Sequence, residues 1–143
     1  MKRTTILFAL LVLATFAVVA QEQPLDDRKA IETTIGYYFE GHATGSADAM
    51  RKAFHPEAKL FWIGDAELKT RASEDFAAAF KGKVAADEAQ RTRTIELIDV
   101  TGDVAIAKVV LDYPAVKFTD YMSLAKIGGA WKIVNKTYVA QRK

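Results

Sequence analysis

Residues 116–140 have the sequence VKFTDYMSLAKIGGAWKIVNKTYVA, and this stretch decides the fold class of the chain. Two runs rich in β-branched and aromatic residues flank a Gly-Gly pair at positions 128 and 129. A Gly-Gly pair between two such runs is a strong signal for a tight hairpin turn. The stretch therefore predicts two antiparallel strands, over 116–127 and 131–140.

The rest of the chain divides into a helical half and a strand-rich half. Two more strand-like runs, 92–100 and 104–113, precede the hairpin. Before them, apolar residues recur at helical spacing and predict three helices. The first predicted helix covers 26–40 and stops at Gly41. The second covers 46–55, from an N-cap at Ser46 to the His55-Pro56 pair. The third covers 73–82, and a short strand over 59–63 precedes it. Helices followed by an antiparallel meander predict the α+β class.

The turn at 128–129 sets which side chains of the last hairpin face the helices. A two-residue turn pairs Lys126 with Trp131, Leu124 with Ile133, Met122 with Asn135, and Asp120 with Thr137. The apolar members assign this face to the helix-covered side, so we expect Asp120 and Asn135 to point inward. Lys136 and Tyr121 then fall on the outer face, as dimer or scaffold groups.

The preceding hairpin is predicted to aim an arginine inward. A three-residue turn at 101–103 places Glu96 opposite Lys108, which is a favourable exposed pair. The same register gathers six residues on the opposite face, namely Arg93, Ile95, Leu97, Ala107, Val109 and Leu111. Because strand side chains alternate between the two faces, a slip of one residue would reverse these assignments.

The first twenty residues have the layout of a secretory signal peptide. Met1-Lys2-Arg3 is basic, residues 6–20 are almost entirely apolar, and the run ends in Val18-Val19-Ala20, with small residues at the cleavage positions. We expect cleavage before Gln21 and a periplasmic or secreted protein with one domain over 21–143. The apolar run is short for a membrane span and residue 21 is not the Cys of a lipoprotein, so no stable membrane anchor is expected. The alternative is an uncleaved N-terminal anchor.

Charge and cysteine content exclude several classes of protein. The whole chain carries 20 basic and 18 acidic residues, and cleavage would remove Lys2 and Arg3, which leaves 18 of each. A neutral domain lacks the positive field that nucleic-acid binding usually needs. Cysteine is absent, so the core and not disulfides would hold an exported domain. His42 and His55 lie thirteen positions apart and make a poor metal site, and we expect neither a metal nor a cofactor.

Five features resemble the nuclear-transport-factor-2-like (NTF2-like) superfamily. They are Tyr38 near the end of the first helix, GHATGSAD at 41–48, FHPEA at 54–58, FTDY at 118–121 and GAWKIVNK at 129–136. The last two resemble its putative lumazine-binding branch, and the resemblance covers roughly residues 25–138. It implies a curved antiparallel sheet wrapped against three N-terminal helices, cone-shaped with a pocket. It also implies a homodimer through the outer face of the sheet.

The same superfamily includes ketosteroid isomerase, in which a carboxylate base lies beside an oxyanion hole made of a tyrosine and a protonated acid. Aligned without gaps over 38–62, the hydroxyl-donating tyrosine of that enzyme matches Tyr38 and its general base matches Trp62. The second oxyanion group would lie near Asp120. A tryptophan cannot take a proton from carbon, so the resemblance argues against isomerase chemistry in this chain.

The favoured interpretation is an exported protein that binds a small apolar or aromatic ligand. Its expected pocket residues are Tyr38, His55, Trp62, Arg93, Asp120 and Asn135, with His42 in a loop at the pocket mouth. Two alternatives stay open. One is a lyase or isomerase-type enzyme that uses Asp120 or His55 as its acid–base group. The other is a dimeric interaction module with no open pocket, in which Tyr38 is a core residue and Arg93 pairs with Asp120 or with surface groups.

Overall fold

The structure, a computed structural model, describes residues 23–143, and the expected signal peptide lies outside the described residues. The helices are α1 (Gln23–Thr44), α2 (Ala47–Ala53) and α3 (Ser73–Ala77), with a 3₁₀ turn at Glu88–Gln90. The strands are β1 (Phe54–Gly64), β2 (Glu67–Ala72), β3 (Thr92–Thr101), β4 (Val104–Asp112), β5 (Val116–Ile127) and β6 (Ala130–Arg142). Within this part of the chain, the helices are too short or too polar to cross a membrane.

The strands form one six-stranded mixed sheet in the order β2-β1-β6-β5-β4-β3. β1 and β6 run parallel, and the other neighbouring pairs are antiparallel. The predicted α+β class is confirmed. The expectation of a purely antiparallel sheet is wrong, because β1 lies beside the last strand and runs in the same direction. The three predicted helices are present, and all of them precede β3 to β6, with α3 following the β1–β2 hairpin.

The first helix is longer than predicted because Gly41 is a packing site and not a stop. A Cβ atom at Gly41 would lie 2.7 Å from the Cε atom of Met50, so glycine permits the close contact between α1 and α2. The chain leaves the helix four residues later, at Gly45. Its φ of +71° is the left-handed conformation that commonly ends a helix.

The hairpin between β1 and β2 was not predicted from the sequence. Its two-residue turn consists of Asp65 and Ala66, whose φ angles are 55° and 61°. Such turns usually carry glycine or asparagine, so an Asp-Ala pair gives little signal. The predicted strand over 59–63 therefore covers only the second half of β1. The predicted third helix ends at Ala77 and not at 82.

A bulge in β6 changes the register of the last hairpin. The structure pairs Lys126 with Trp131, Leu124 with Ile133, Ser123 with Asn135, Met122 with Lys136, and Asp120 with Tyr138. The first two pairs confirm the prediction. The extra residue, Val134, then shifts the register by one. The predicted pairing of Asp120 with Thr137, and of Met122 with Asn135, is wrong for this reason.

This shift exchanges the faces of two neighbouring residues. Lys136, which we expected on the outer face, points inward and is buried. Asn135, which we expected to point inward, lies opposite the exposed Ser123 and belongs to the outer face. Asp120 is buried, as predicted, and Tyr121 is on the outer face, as predicted.

A second bulge lies at Glu96 in β3. The turn before β4 contains two residues and not three, and Glu96 is the extra residue that restores the predicted register beyond it. Arg93 consequently faces inward, as predicted. Leu97 was expected to face inward but is about half exposed, and Ile98 takes the buried position. Glu96 still pairs with Lys108, at 2.7 Å.

The core lies between the inward face of the sheet and the helices. Its fully buried side chains include Ile31, Ile35, Tyr38, Met50, Leu60, Val109, Leu111, Met122, Leu124 and Ile133. Hydrogen bonds fix α1 on the last hairpin. The carboxylate of Asp27 accepts from the indole of Trp131 at 3.0 Å and from Lys126 at 2.8 Å, and the bond from Lys126 lowers the pKa of Asp27. These contacts determine which face of α1 meets the sheet.

Gly45 should tolerate alanine less well than Gly82. Both have φ near +70°, so either Gly→Ala change introduces left-handed strain of about 1–2 kcal/mol. A Cβ atom at Gly45 would also lie 2.5 Å from the backbone nitrogen of Lys83, whereas nothing lies within 4 Å of one at Gly82. Urea unfolding should therefore show a distinctly larger loss of stability for Gly45→Ala. Equal losses would contradict the close backbone contact.

Candidate functional site

Three polar side chains, Tyr38, Asp120 and Lys136, meet in the core, and we call them the buried triad. Their exposed fractions are 0%, 0% and 3%. The hydroxyl of Tyr38 donates to Oδ2 of Asp120 at 2.6 Å and accepts from Nζ of Lys136 at 2.8 Å. The amine lies 3.4 Å from the same carboxylate oxygen. A phenol, a carboxylate and an amine thus share one site that is shielded from water.

Each member reaches the triad through its local structure. Tyr38 continues the buried stripe of α1 and therefore faces the sheet. Asp120 occupies an inward position in the alternation of β5. Lys136 faces inward only because the bulge at Val134 shifts the alternation of β6 by one residue.

Burial and mutual contact set the protonation of the triad. Burial, followed by the charge of Asp120, raises the pKa of Tyr38 well above its usual value, so the phenol keeps its proton. Burial lowers the pKa of Lys136, and Asp120 opposes that change. Oδ1 of Asp120 is buried and has no hydrogen-bond partner among the described residues. Since an unpaired buried acceptor is costly, the triad retains capacity for one more donor.

Aromatic rings enclose the amine of the triad. Nζ of Lys136 lies 4.4 Å from the ring centroid of Tyr138 and 5.1 Å from those of Tyr38 and Phe76. Ring faces attract a cation, and their apolar bodies exclude water. The charge of Lys136 is therefore stabilised by rings on several sides and by one carboxylate.

His42 lies on α1 one turn after Tyr38, and not in a loop at a pocket mouth as we expected. Its ring contacts Tyr38 edge-on, with centroids 4.6 Å apart, and Phe80 at 5.3 Å. Burial, followed by the charges of Lys136 and Arg93, lowers the pKa of His42 well below its usual value. The imidazole is consequently neutral, and its buried Nε2 has no hydrogen-bond partner in the described part of the chain.

A cavity of about 350 Å³ lies at one end of the sheet, and we call it the Trp62 cavity. It is lined by Trp62, Ile63, Phe118, Tyr138, Val139 and Ala140. The rings of Trp62 and Tyr138 are 5.8 Å apart. Because Tyr138 also lies over Lys136, its ring borders both this cavity and the buried triad.

Arg93 faces inward but already has partners. Its guanidinium donates to both carboxylate oxygens of Glu88, at 2.6 and 2.8 Å, and to the hydroxyl of Tyr113 at 3.3 Å. The bond to Glu88 raises the pKa of Arg93 and lowers that of Glu88. Arg93 and Asp120 therefore have separate partners, and the structure does not pair them.

Two other expected pocket residues lie away from the triad. His55 lines a smaller cavity of about 130 Å³ between α2, β1 and α3, and its Nδ1 accepts from the backbone of Glu57 at 3.2 Å. Asn135 is on the outer face of the sheet, as described above. Of the six expected residues, the structure brings together Tyr38 and Asp120 in the triad and places Trp62 at the neighbouring cavity.

The triad differs from the oxyanion hole of ketosteroid isomerase. The hydroxyl of Tyr38 donates its proton to Asp120 itself, and the amine of Lys136, which has no counterpart in that alignment, completes the cluster. Lys136 and Tyr138 are the residues that the sequence analysis missed. Within the described residues, no group of three His, Cys, Asp or Glu side chains could hold a metal ion.

Residues 26–139 match the family model described as "Putative lumazine-binding". The chain belongs to this family. It has the NTF2-like fold, and both the predicted superfamily and the predicted branch are confirmed. An NTF2-like protein of unknown function from Shewanella baltica OS155 superposes with a TM-score of 0.76 at 24% identity, covering 84% of this chain and 98% of that one.

Two further proteins that are similar to this chain have names that state a role. The CaMKII hub of S. rosetta superposes with a TM-score of 0.59 at 17% identity, covering 79% of this chain and 95% of the hub. Aldolase FrzH from Cladobotryum sp. is 27% identical over 112 residues, which cover 76% of this chain and 87% of the aldolase. The hub similarity shows the fold alone.

Breaking the buried ion pair should cost far more stability than breaking an exposed one. In Asp120→Ala the ammonium of Lys136 loses its counter-charge inside the core, and we expect a loss of about 3–5 kcal/mol in urea unfolding at neutral pH. Glu96→Ala removes the partner of Lys108 on the exposed outer face and should change stability little.

The double variant Asp120→Leu/Lys136→Met should recover much of the loss, because it removes both charges together. If Asp120→Ala were no more destabilising than Glu96→Ala, the pair could not be a buried ion pair of the kind described.

Proposed function

We propose that this protein is an exported binder of a small apolar or aromatic molecule that occupies the Trp62 cavity. Family membership and fold support a small-molecule-binding domain. The observation that carries the proposal is the position of the cavity, one ring away from a triad with an unpaired carboxylate oxygen. Apolar walls with a few convergent polar groups are typical of ligand sites.

The lining indicates the chemistry of the ligand. Trp62, Phe118 and Tyr138 offer aromatic surfaces, and the cavity volume is within the range of small-molecule pockets. Flat aromatic ligands stack on such rings. If the side chain of Tyr138 rotates, a polar group of the ligand can reach Lys136 as a donor and Oδ1 of Asp120 as an acceptor. The family description suggests a flat heterocycle, which would stack on these rings.

Native mass spectrometry of the exported protein should show a small molecule retained on the chain. Trp62→Ala removes one wall of the Trp62 cavity and should weaken retention by about 1.5–3 kcal/mol, roughly ten- to a hundredfold. His55→Ala is the matched control, because His55 lines the other cavity, and it should leave retention unchanged. Equal effects of the two substitutions, or no retained molecule, would contradict the proposal.

The proposal includes export to the periplasm or the medium, supported by the basic start, the apolar run and the small residues at 18–20. The same mass spectrum tests it, since cleavage gives a chain that begins at Gln21. A chain that retained Met1 in the exported fraction would contradict the cleavage.

We also propose that the protein forms a homodimer through the outer face of the sheet. Exposed apolar residues on that face include Leu97, Val104, Ile106, Tyr121 and Val139. A groove of about 360 Å³ is lined by two of them, Val104 and Ile106, together with Ala125 and Val134. Contiguous exposed apolar surface is typical of an interaction site.

Ile106→Glu should convert the dimer to a monomer, because it introduces a charge at the centre of the proposed interface. Val84→Glu is the matched control, since Val84 is equally exposed but lies in the segment between α3 and β3. Light scattering at tens of micromolar (about the range in which modest interfaces associate) should separate the two variants. A wild-type monomer at that concentration would count against the interface.

A lyase is the second candidate, and the similarity to aldolase FrzH is the observation that favours it. Asp120 would be its acid–base group, since it contacts both a phenol and an amine. His55 is less suited, because its ring already bonds the backbone of Glu57. A lyase would convert the retained molecule on incubation, whereas a binder would release it intact.

A further inference from the structure

Lys136 is the least expected residue of the core. Lysine is almost never fully buried, yet the side chain of Lys136 lies in the core. Among the described residues, its amine contacts a phenol, one carboxylate oxygen and aromatic rings. An apolar residue of similar volume would serve packing equally well or better. The amine therefore calls for a chemical role as well as a structural one.

We propose that Nζ of Lys136 forms an imine with the aldehyde or ketone group of a small molecule that enters through the Trp62 cavity. This inference rests on the proposed function, because it requires a ligand in that cavity. It adds a covalent step and a substrate class, aromatic carbonyl compounds, to simple binding.

The geometry supplies the groups that imine formation needs. The amine must first lose a proton, and two acceptors are adjacent, Oδ2 of Asp120 at 3.4 Å and the hydroxyl of Tyr38 at 2.8 Å, which itself bonds the carboxylate. The triad thus forms a short path along which a proton can move between amine and carboxylate.

The step balances without an oxidant or a reductant. The nitrogen lone pair attacks the carbonyl carbon, the C–N bond forms as the C=O π bond breaks, and the oxygen takes the proton held by Asp120. The carboxylate of Asp120 then carries a second proton from the carbinolamine nitrogen to this oxygen, the C–O bond breaks, water leaves, and the nitrogen lone pair forms the C=N bond of a protonated imine. Ammonium plus carbonyl becomes iminium plus water, so the positive charge stays on the nitrogen beside Asp120.

The surroundings of Lys136 make its amine more reactive toward a carbonyl group than the amine of a surface lysine. Burial lowers the pKa of Lys136, so a larger fraction of its amine is neutral and nucleophilic at a given pH than for a lysine in water. Lysines in apolar pockets are the ones that serve as Schiff-base nucleophiles. The aromatic shell also keeps bulk water from hydrolysing the product.

Access to the amine depends on Tyr138. Its ring lies 4.4 Å from Nζ and also lines the Trp62 cavity. A flat carbonyl compound stacked on Trp62 would need only a rotation of Tyr138 to bring its carbonyl carbon to the amine. Of the three rings that surround the amine, Tyr138 is the one that also lines this cavity.

Reductive trapping with 2-naphthaldehyde tests the inference. The exported protein is incubated with the aldehyde and sodium cyanoborohydride at neutral pH and then mapped by peptide mass spectrometry. We expect a naphthylmethyl group on Lys136, formed about tenfold faster than on the partly exposed Lys132 of the same strand. The secondary amine at Lys136 should also block tryptic cleavage after that residue.

Two variants and one condition serve as controls. Lys136→Arg keeps the charge but cannot form the imine, so it should lose the preferred adduct, whereas Lys132→Arg should keep it. If Lys136→Arg fails to fold, labelling of wild-type protein in urea replaces it. Unfolding should abolish the preference for Lys136, because the preference comes from the folded site.

Tryptophan fluorescence shows whether the aldehyde binds in the Trp62 cavity, independently of whether it forms an imine. Binding of 2-naphthaldehyde should quench the fluorescence of Trp62, and the quench should disappear in Trp62→Phe, which leaves only the core residue Trp131. Quenching without a preferred adduct at Lys136 would overturn the imine while the binding proposal stands. Absence of both would overturn both.

Discussion

The ion pair between Asp120 and Lys136, bridged by the hydroxyl of Tyr38, is the interaction on which the structure depends. Either charge alone in this core would be strongly destabilising, so the two strands and α1 must keep the register and orientation that bring the three groups together. The pair therefore acts as a positional constraint. It links α1, β5 and β6, and the last two of these line the Trp62 cavity together with β1.

The bulge at Val134 makes this constraint possible. Without it, the alternation of β6 would place Asn135 inside and Lys136 outside, and Asp120 would face an uncharged neighbour. With it, the strand presents apolar residues near the turn and a lysine beyond it, both on the same face. The bulge at Glu96 has the corresponding effect in β3, where it keeps Arg93 inward although the turn is one residue shorter than expected.

The sequence predicted the features that have strong local signals. The Gly-Gly turn indicated the last hairpin, helical spacing placed Tyr38 on the buried stripe of α1, and alternation placed Asp120 inside. Lys136 was missed because no local pattern marks the bulge at Val134. The hairpin at Asp65-Ala66 was missed for a similar reason. Gly41 was interpreted as a stop although tertiary packing against Met50, which a single sequence does not reveal, explains it.

The position of the Asp120–Lys136 ion pair indicates that it does more than fix the register of the strands. A device that only fixed register could lie anywhere along the paired length of β5 and β6. This one lies under Tyr138, the ring that also lines the Trp62 cavity, and it leaves Oδ1 of Asp120 unpaired among the described residues. A purely structural cluster gains nothing from an unpaired buried acceptor. A site that receives a polar group from a ligand needs one, so the same pair can both fix the strands and present chemistry to the cavity.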